Sequence, residues 1–344
     1  MEAVDLDDAN MKILVTGGAG YIGSITATAL EDCGHTPIIV DSLLTGPRAF
    51  ARDRTFYEGD IADRDVISTI FAEHPDIECT IHMAARIQVP ESVARPYEYY
   101  RDNVAKSLEL FDSLVQLRKP RIIFSSSASV YAPTKDYEVF EDSPLKPESP
   151  YARTKQVVEM ILADMAASTS LRAIILRYFN PIGSDRYLHS GVYVPTPSHV
   201  LGQIVMAARE QRDAFLVTGT DYPTRDGTGL RDYIHVWDLA LAHVRAVERF
   251  DSVLERTGEP SNIINLGTGS GVTVRELVST VEGVLGRPVP VRDAPRRAGD
   301  AVGGYANVDK ARTILEWSAH HSLEDGVRSA IEWAAKRKGI LGYE

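Results

Sequence analysis

Cysteine is scarce in this chain. Two residues, Cys33 and Cys79, cannot build a disulfide framework, and no C-x-x-C pair is present to grip a metal. No apolar run approaches the roughly 20 residues that a membrane-spanning helix needs. Positive charge is in deficit: 37 Lys and Arg face 48 Asp and Glu, for a net charge of −11. That balance argues against nucleic acid and anionic membranes as partners, because both are bound through an excess of basic residues. The segment Met1 to Asn10 lacks the basic start and apolar stretch of a secretory signal and carries Glu2, Asp5, Asp7 and Asp8 instead. It reads as a short tail on a cytoplasmic protein. Neither an internal repeat nor a low-complexity tract is visible.

What is present is the composition of a soluble globular chain: 344 residues, 44% hydrophobic and 25% charged. That length suggests about two domains. Lys12-Ile13-Leu14-Val15-Thr16 is short, apolar and β-branched, and it runs into glycines, as a buried strand does. Tyr21 to Cys33 reads as a helix stopped by Gly34. Strands are then expected at Pro37–Asp41, Thr55–Asp60, Cys79–Met83, Arg121–Ser125 and Ala173–Arg177. A helix is expected from Tyr97 to Leu117, with Val104, Leu108, Phe111 and Val115 at spacings of three or four. Strands that alternate with helices predict an α/β fold with a doubly wound parallel sheet covered on both faces.

After Asn180 the rhythm breaks. Residues 181–233 are rich in Pro, Gly, Tyr and Thr and read as loop-dominated ground for a substrate. Regular patterns return at Val236–Phe250, Ile263–Leu266, Thr273–Leu285 and Leu323–Lys338. The expected division is a dinucleotide-binding (Rossmann) domain of residues 11–180 plus 234–270, and a smaller, discontinuous substrate domain of residues 181–233 plus 271–344.

Gly17, Gly20 and Gly23 follow the first strand in a G-x-x-G-x-x-G spacing. Glycine permits the tight turn, the close approach of backbone to a pyrophosphate and close packing of helix on strand. The helix start then offers free N–H groups to phosphate. Asp41 ends the second strand, where a carboxylate accepts both ribose hydroxyls and repels a 2′-phosphate. This favours NAD over NADP. Asp60 and Ile61 after the third strand are placed to meet the adenine.

Ser149-Pro150-Tyr151-Ala152-Arg153-Thr154-Lys155 carries the chemistry. Ser149 suits an N-cap and Pro150 the first helical turn. Tyr151 and Lys155 then share one helix face. A phenol is a poor base at neutral pH, but a neighbouring ammonium and a cationic nicotinamide favour its phenolate. Tyr151 could then take a proton from a sugar hydroxyl. Ser127 follows the Arg121–Ser125 strand and could relay that proton. His235 reads as a structural histidine.

These residues resemble extended short-chain dehydrogenases/reductases, and among them the UDP-glucose (UDP-galactose) 4-epimerases. The resemblance rests on Val15–Ser24, Ser125–Tyr131, Ser149–Tyr151, Leu176–Pro181, Asp221–Thr224, Gly229–Val236 and Ala294–Asp300. It implies an isomerase that keeps NAD through the cycle. Tyr151 takes the sugar 4-hydroxyl proton while hydride moves to the nicotinamide. The 4-keto sugar turns over in the site, and the hydride returns to its other face. It further implies cofactor contacts from Tyr21, Ile22, Met83, Ala84, Ala85, Asn103, Ser125, Lys155 and Tyr178. Nucleotide-sugar contacts are implied for Ser129, Phe179, Asn180, His199, Val200, Arg231, Arg297 and Asp300, and a homodimer through the helices that begin near Tyr97 and Tyr151.

Related dehydratases carry an Asp-Glu pair after the catalytic Ser or Thr, and decarboxylases a Glu. Here Ala128 and Ser129 stand there, which favours epimerisation. Departures from the family pattern are Met83–Ile87, without the usual lysine at Ile87; Ser198-His199-Val200, in place of Asn-Asn-Leu; and Thr218, in place of an aromatic at the uracil. These leave the nucleotide open. Gly304, where bulk limits sugar size in the family, suggests room for a 2-acetamido group. The alternatives are a uronate epimerase or reductase of the same superfamily, or a non-catalytic NAD-sensing protein.

Overall fold

The computed structural model describes residues 10–296 and 302–343. Seven parallel strands form the central sheet: β1 (Lys12–Thr16), β2 (Thr36–Asp41), β3 (Phe56–Glu58), β4 (Ile77–His82), β5 (Arg121–Ser127), β6 (Arg172–Tyr178) and β7 (Ser261–Leu266). Their spatial order is β7-β6-β5-β4-β1-β2-β3, with every pairing parallel. Alternate residues of one strand feed opposite faces. Ile13 and Val15 join Ile25, Leu30, Val236, Trp237 and Val244 on one side. Leu14 joins Ile67, Ile70, Phe111 and Leu162 on the other. This is the doubly wound sheet the alternating pattern predicts. The strand order reverses between β1 and β4, so a crevice opens at the carboxyl ends of those two strands, where such folds bind ligands.

The Tyr97–Leu117 expectation holds as a helix but not in its phase. The chain is α-helical at Pro96–Tyr99, widens to a π-helical turn at Tyr100–Ala105, and continues as α-helix through Lys106–Gln116. A π turn inserts an extra residue and rotates everything beyond it. Beyond it, Ser107, Leu110, Phe111 and Leu114 face the core, Val104 and Val115 pack at its margin, and Leu108 is exposed.

Residues 181–233 are more regular than expected. They hold a helix at Val200–Ala208 and strands at Asn180–Ile182, Phe215–Thr218, Leu230–Arg231 and Tyr233–His235. Leu201, Ile204, Val205 and Ala208 of that helix pack with Phe215, Val217, Tyr233, Leu277, Val281 and Val327 in a separate core. The spacing of those four residues is helical, so the signal was in the sequence; the surrounding prolines masked it. Arg64–Glu73 is a further helix, capped by Asp63, whose side chain accepts from Asp65 N and Val66 N.

A second sheet joins residues distant in sequence. Leu230–Arg231 lies between Val272–Thr273 and Gly303–Ala306, and the last of these also pairs with Glu138–Val139. Among the described residues, no helix is long and apolar enough to cross a membrane.

Candidate active site

The glycine turn sits at the reversal point. Gly17 adopts φ +71°, and its N–H reaches Val40 O at 2.9 Å. A Cβ there would lie 2.7 Å from Ala84 N, so only glycine lets the turn press against the end of β4. A Cβ on Gly23 would lie 2.3 Å from Gly17 O. The Tyr21–Asp32 helix begins with no side-chain cap and no acid in its first turn, which leaves its first N–H groups for an anion. Tyr21 aims its hydroxyl at Gly183 O, 2.7 Å away, and ties this helix to the substrate side. Ile22 follows it on the first turn.

Asp41 is buried at the end of β2. Its carboxylate accepts from Ala19 N at 3.0 Å and from Leu43 N at 2.8 Å, which fixes the glycine turn beside it. Burial pushes its pKa up, against those two backbone donors. Asp60 accepts from Lys106 Nζ at 2.5 Å and Ala62 N at 3.0 Å, and Ile61 beside it is buried.

The wall formed by Met83, Ala84 and Ala85 is held by a chain of hydrogen bonds whose protons can be assigned. Ser107 Oγ donates to Asn103 O at 2.6 Å, so His82 Nε2 must donate to Ser107 Oγ, 2.8 Å away. His82 Nδ1 is then an acceptor for Thr16 Oγ1, also at 2.8 Å. The lone pairs of Thr16 Oγ1 are left for Met83 N and Ala84 N at 3.2 and 3.3 Å. Burial brings the His82 pKa down to about 3, which keeps this neutral tautomer. Asn103 lies on the π turn and faces inward. Its amide exchanges hydrogen bonds with Arg86 N and Arg86 O and reaches Thr154 Oγ1 at 3.1 Å. It therefore positions the wall. Arg86 does not stand in for the lysine missing at Ile87, because its guanidinium is committed to Asp102 at 2.6 Å.

Tyr151 and Lys155 come from the Pro150–Ser168 helix, capped by Ser149 Oγ on Ala152 N. Tyr151 faces Ser127; burial raises its pKa and the Ser127 hydroxyl opposes the rise. Lys155 is buried, donates to Ser125 O at 2.7 Å and lies 4.8 Å over the Phe124 ring. Burial lowers its pKa to about 8 and Glu159 pulls it back up. Ser125 Oγ meets His243 Nε2 at 3.1 Å. Tyr178 ends β6 beside Tyr151, with Ser125 facing its hydroxyl. Burial raises its pKa. Ser129 Oγ donates to Ser127 Oγ at 2.9 Å.

On the substrate side, Phe179 is buried with Val130, Tyr131 and Ala306. Asn180 is exposed and donates its N–H to Asp232 O. His199 caps the Val200–Ala208 helix through Nδ1. Arg231 Nη1 donates to Leu230 O and Val302 O, each at 2.7 Å. Arg297 and Asp300 lie outside the described residues. His235 caps its helix and stacks on His321, as a structural histidine does. Sequence reading missed Thr16, His82, Glu159 and Arg177. A polar residue in an apolar strand was the signal for His82 and Thr16.

An uncapped helix start behind a glycine turn, a buried carboxylate at the end of β2 and a buried tyrosine–lysine pair define a dinucleotide-dependent α/β enzyme. Residues 13–267 match the NAD dependent epimerase/dehydratase family, and the chain belongs to it. It is 42% identical over 328 residues to the UDP-glucose 4-epimerase of Rhizobium leguminosarum bv. trifolii, covering 95% of this chain and 98% of that one. The UDP-glucose-4-epimerase structure from Stenotrophomonas maltophila, with bound NAD and formylated UDP-arabinopyranose, matches with a TM-score of 0.89 and 38% identity. That match covers 95% of this chain and 99% of the other. The UDP-Glc/GlcNAc 4-epimerase of Campylobacter jejuni matches with a TM-score of 0.80 and 33% identity, over 95% of this chain and 100% of its own.

Proposed function

We propose that this enzyme is a nucleotide-sugar 4-epimerase that interconverts UDP-glucose and UDP-galactose through a transient 4-keto sugar. The observation that carries the reading is Tyr151 facing Ser127, one helical turn from buried Lys155, which holds the Ser125 carbonyl. When bound, NAD supplies reversible hydride acceptance. Gly17, Gly20, Gly23 and the start of the Tyr21–Asp32 helix would hold its pyrophosphate. Asp41 would hold the ribose, with Asp60 and Ile61 at the adenine and Met83–Ala85, Ser125 and Tyr178 along the rest. Tyr151 takes the proton of the sugar 4-hydroxyl and later returns it. Ser127 hydrogen-bonds the same oxygen, and Lys155 supplies the positive charge that favours the phenolate. Ser129, Phe179, Asn180, His199, Val200 and Arg231 would line the sugar and diphosphate, with Arg297 and Asp300.

Purified protein given UDP-galactose is expected to form UDP-glucose without net consumption of NAD. Stoichiometric cofactor turnover, or a dehydrated sugar product, would contradict the reading. No acid stands at Ala128 or Ser129 to expel water.

The division into residues 11–180 plus 234–270 for cofactor, and 181–233 plus 271–344 for sugar, is part of the proposal. At Gly304 the Cβ direction is filled by Tyr137 O, 2.7 Å away, so the room for a 2-acetamido group rests on the family pattern at this position. On that pattern, kcat/KM for UDP-N-acetylgalactosamine is expected within about tenfold of that for UDP-galactose. Negligible turnover of the N-acetylated sugar would remove the idea.

A cytoplasmic location is part of the proposal, and the two free cysteines, one exposed and one buried, suit that reducing compartment. A homodimer is supported by Tyr97, Leu108 and Met160, which are 75%, 43% and 59% exposed on adjoining helices. Light scattering should find a dimer that Tyr97→Glu with Met160→Glu converts to monomer. A monomeric parent protein at micromolar concentration would sink this pairing.

A further inference from the structure

Tyr151, Lys155 and Glu159 are spaced by four and form one stripe along the Pro150–Ser168 helix. The stripe lies on three consecutive residues of β5. Tyr151 faces Ser127, Lys155 Nζ holds Ser125 O at 2.7 Å, and Glu159 accepts from Ser126 Oγ. Glu159 is itself clamped. Arg177 on β6 grips it with two bonds, Nε to Oε1 at 2.9 Å and Nη2 to Oε2 at 2.6 Å, and both side chains are buried. The other arm of Arg177 reaches Tyr131 Oη at 2.9 Å and Glu141 O at 3.0 Å. Tyr131 donates onward to Asn265 Oδ1 on β7 at 2.7 Å. The segment that follows Ser127 is thus pinned by the same guanidinium that pins the helix.

We propose that Glu159 is a positioning residue of the reaction: clamped by Arg177, it sets the register of the helix on β5, so that Tyr151 meets Ser127 and Lys155 meets the Ser125 carbonyl. The inference rests on the epimerase reading above. A buried ion pair contributes little net stability. A lock that an apolar pair could replace at no loss of stability has its use in register.

The same carboxylate acts on charge. Among the described residues, the titratable groups around Lys155 are Tyr151 and Glu159 on its own helix, His82 on β4, and His243 of the Val236–Glu248 helix, which shares Ser125 with it, with Arg177 and Tyr178 on β6 behind Glu159 and beside Tyr151. Burial brings His82 down to about 3 and His243 to about 4, so both are neutral at pH 7. Glu159 is then the one anion among these groups, and it opposes the burial that brings Lys155 to about 8.

Two variants separate position from charge. Glu159→Asp keeps the charge and withdraws it by one methylene. Its kcat is expected to fall about tenfold or more, with KM within about twofold and the alkaline limb of the pH profile unmoved. Glu159→Gln should lose as much, and its alkaline limb should move to lower pH by about half a unit or more, because Lys155 loses its supporting anion. Should Glu159→Gln fail to fold with Arg177 left unpaired, Glu159→Gln with Arg177→Met is read in its place for kcat and KM alone, because it removes a cation together with the anion. Wild-type kcat in Glu159→Asp or in the double variant, or an unmoved limb in folded Glu159→Gln, overturns the proposal. A parent enzyme without epimerase turnover overturns the functional reading instead.

Discussion

Tyr151→Phe is expected to lower kcat by about three orders of magnitude, within the range that loss of a positioned acid–base group produces. The substitution removes one oxygen and leaves the ring in place. The glycine turn, Asp41 and the Met83–Ala85 wall are untouched, so NAD content should stay at the wild-type level. KM for the sugar nucleotide should change little, because the missing interaction belongs to the transition state. Burial raises the Tyr151 pKa, so its phenolate depends on the positive charge beside it. Wild-type turnover should fall at alkaline pH as Lys155, at about 8, loses the charge that supports the phenolate. Steady-state kinetics across pH, with cofactor released from denatured protein and counted, read all of this. Turnover in Tyr151→Phe above about a tenth of wild type would assign the base elsewhere.

Gly17→Ala should strip the enzyme of cofactor. The position combines φ +71° with a Cβ site 2.7 Å from Ala84 N and 2.8 Å from Ala84 Cα. The backbone strain alone costs about 1–2 kcal/mol. Ala84 cannot retreat freely, because Thr16 and His82 hold it. NAD affinity is expected to drop by at least about a hundredfold, some 2.7 kcal/mol, and Tm by several degrees. Gly34→Ala is the control. Gly34 has φ +85° but nothing within 4 Å of its Cβ site, so it should lose a little stability and keep its NAD. Wild-type NAD content in purified Gly17→Ala would mean that the turn does not approach β4 as described.

Much of this was legible because it is local. Ser149-Pro150 announces the helix that carries Tyr151 and Lys155, Gly34 stops the first helix, and Thr273 with Glu276 forms the capping box of Val274–Leu285. Residues whose meaning depends on a distant partner were not. Nothing in the run Tyr97–Leu117 marks the π turn at Tyr100–Ala105, on which Asn103 is buried. Glu159 and Arg177 sit 18 residues apart on a helix and a strand, and their pairing exists only once β6 is beside that helix. The two-residue strands Glu138–Val139, Leu230–Arg231 and Val272–Thr273 are too short to carry a period at all.

Those short strands have a consequence for synthesis. Six of the seven strands of the central sheet are complete once Tyr178 has been made. Only β7 remains, and the cofactor side can begin to collapse on mostly sequential neighbours. The second sheet draws on residues 138–139, 230–231, 272–273 and 303–306, and its central pairing waits for the last of these. Pairings of such long range form slowly, because the intervening chain must be ordered first. During translation the nascent chain should therefore pass through a stage with a largely built nucleotide cradle and no sugar pocket. Dinucleotide captured at that stage would act as a folding ligand before it acts as a coenzyme.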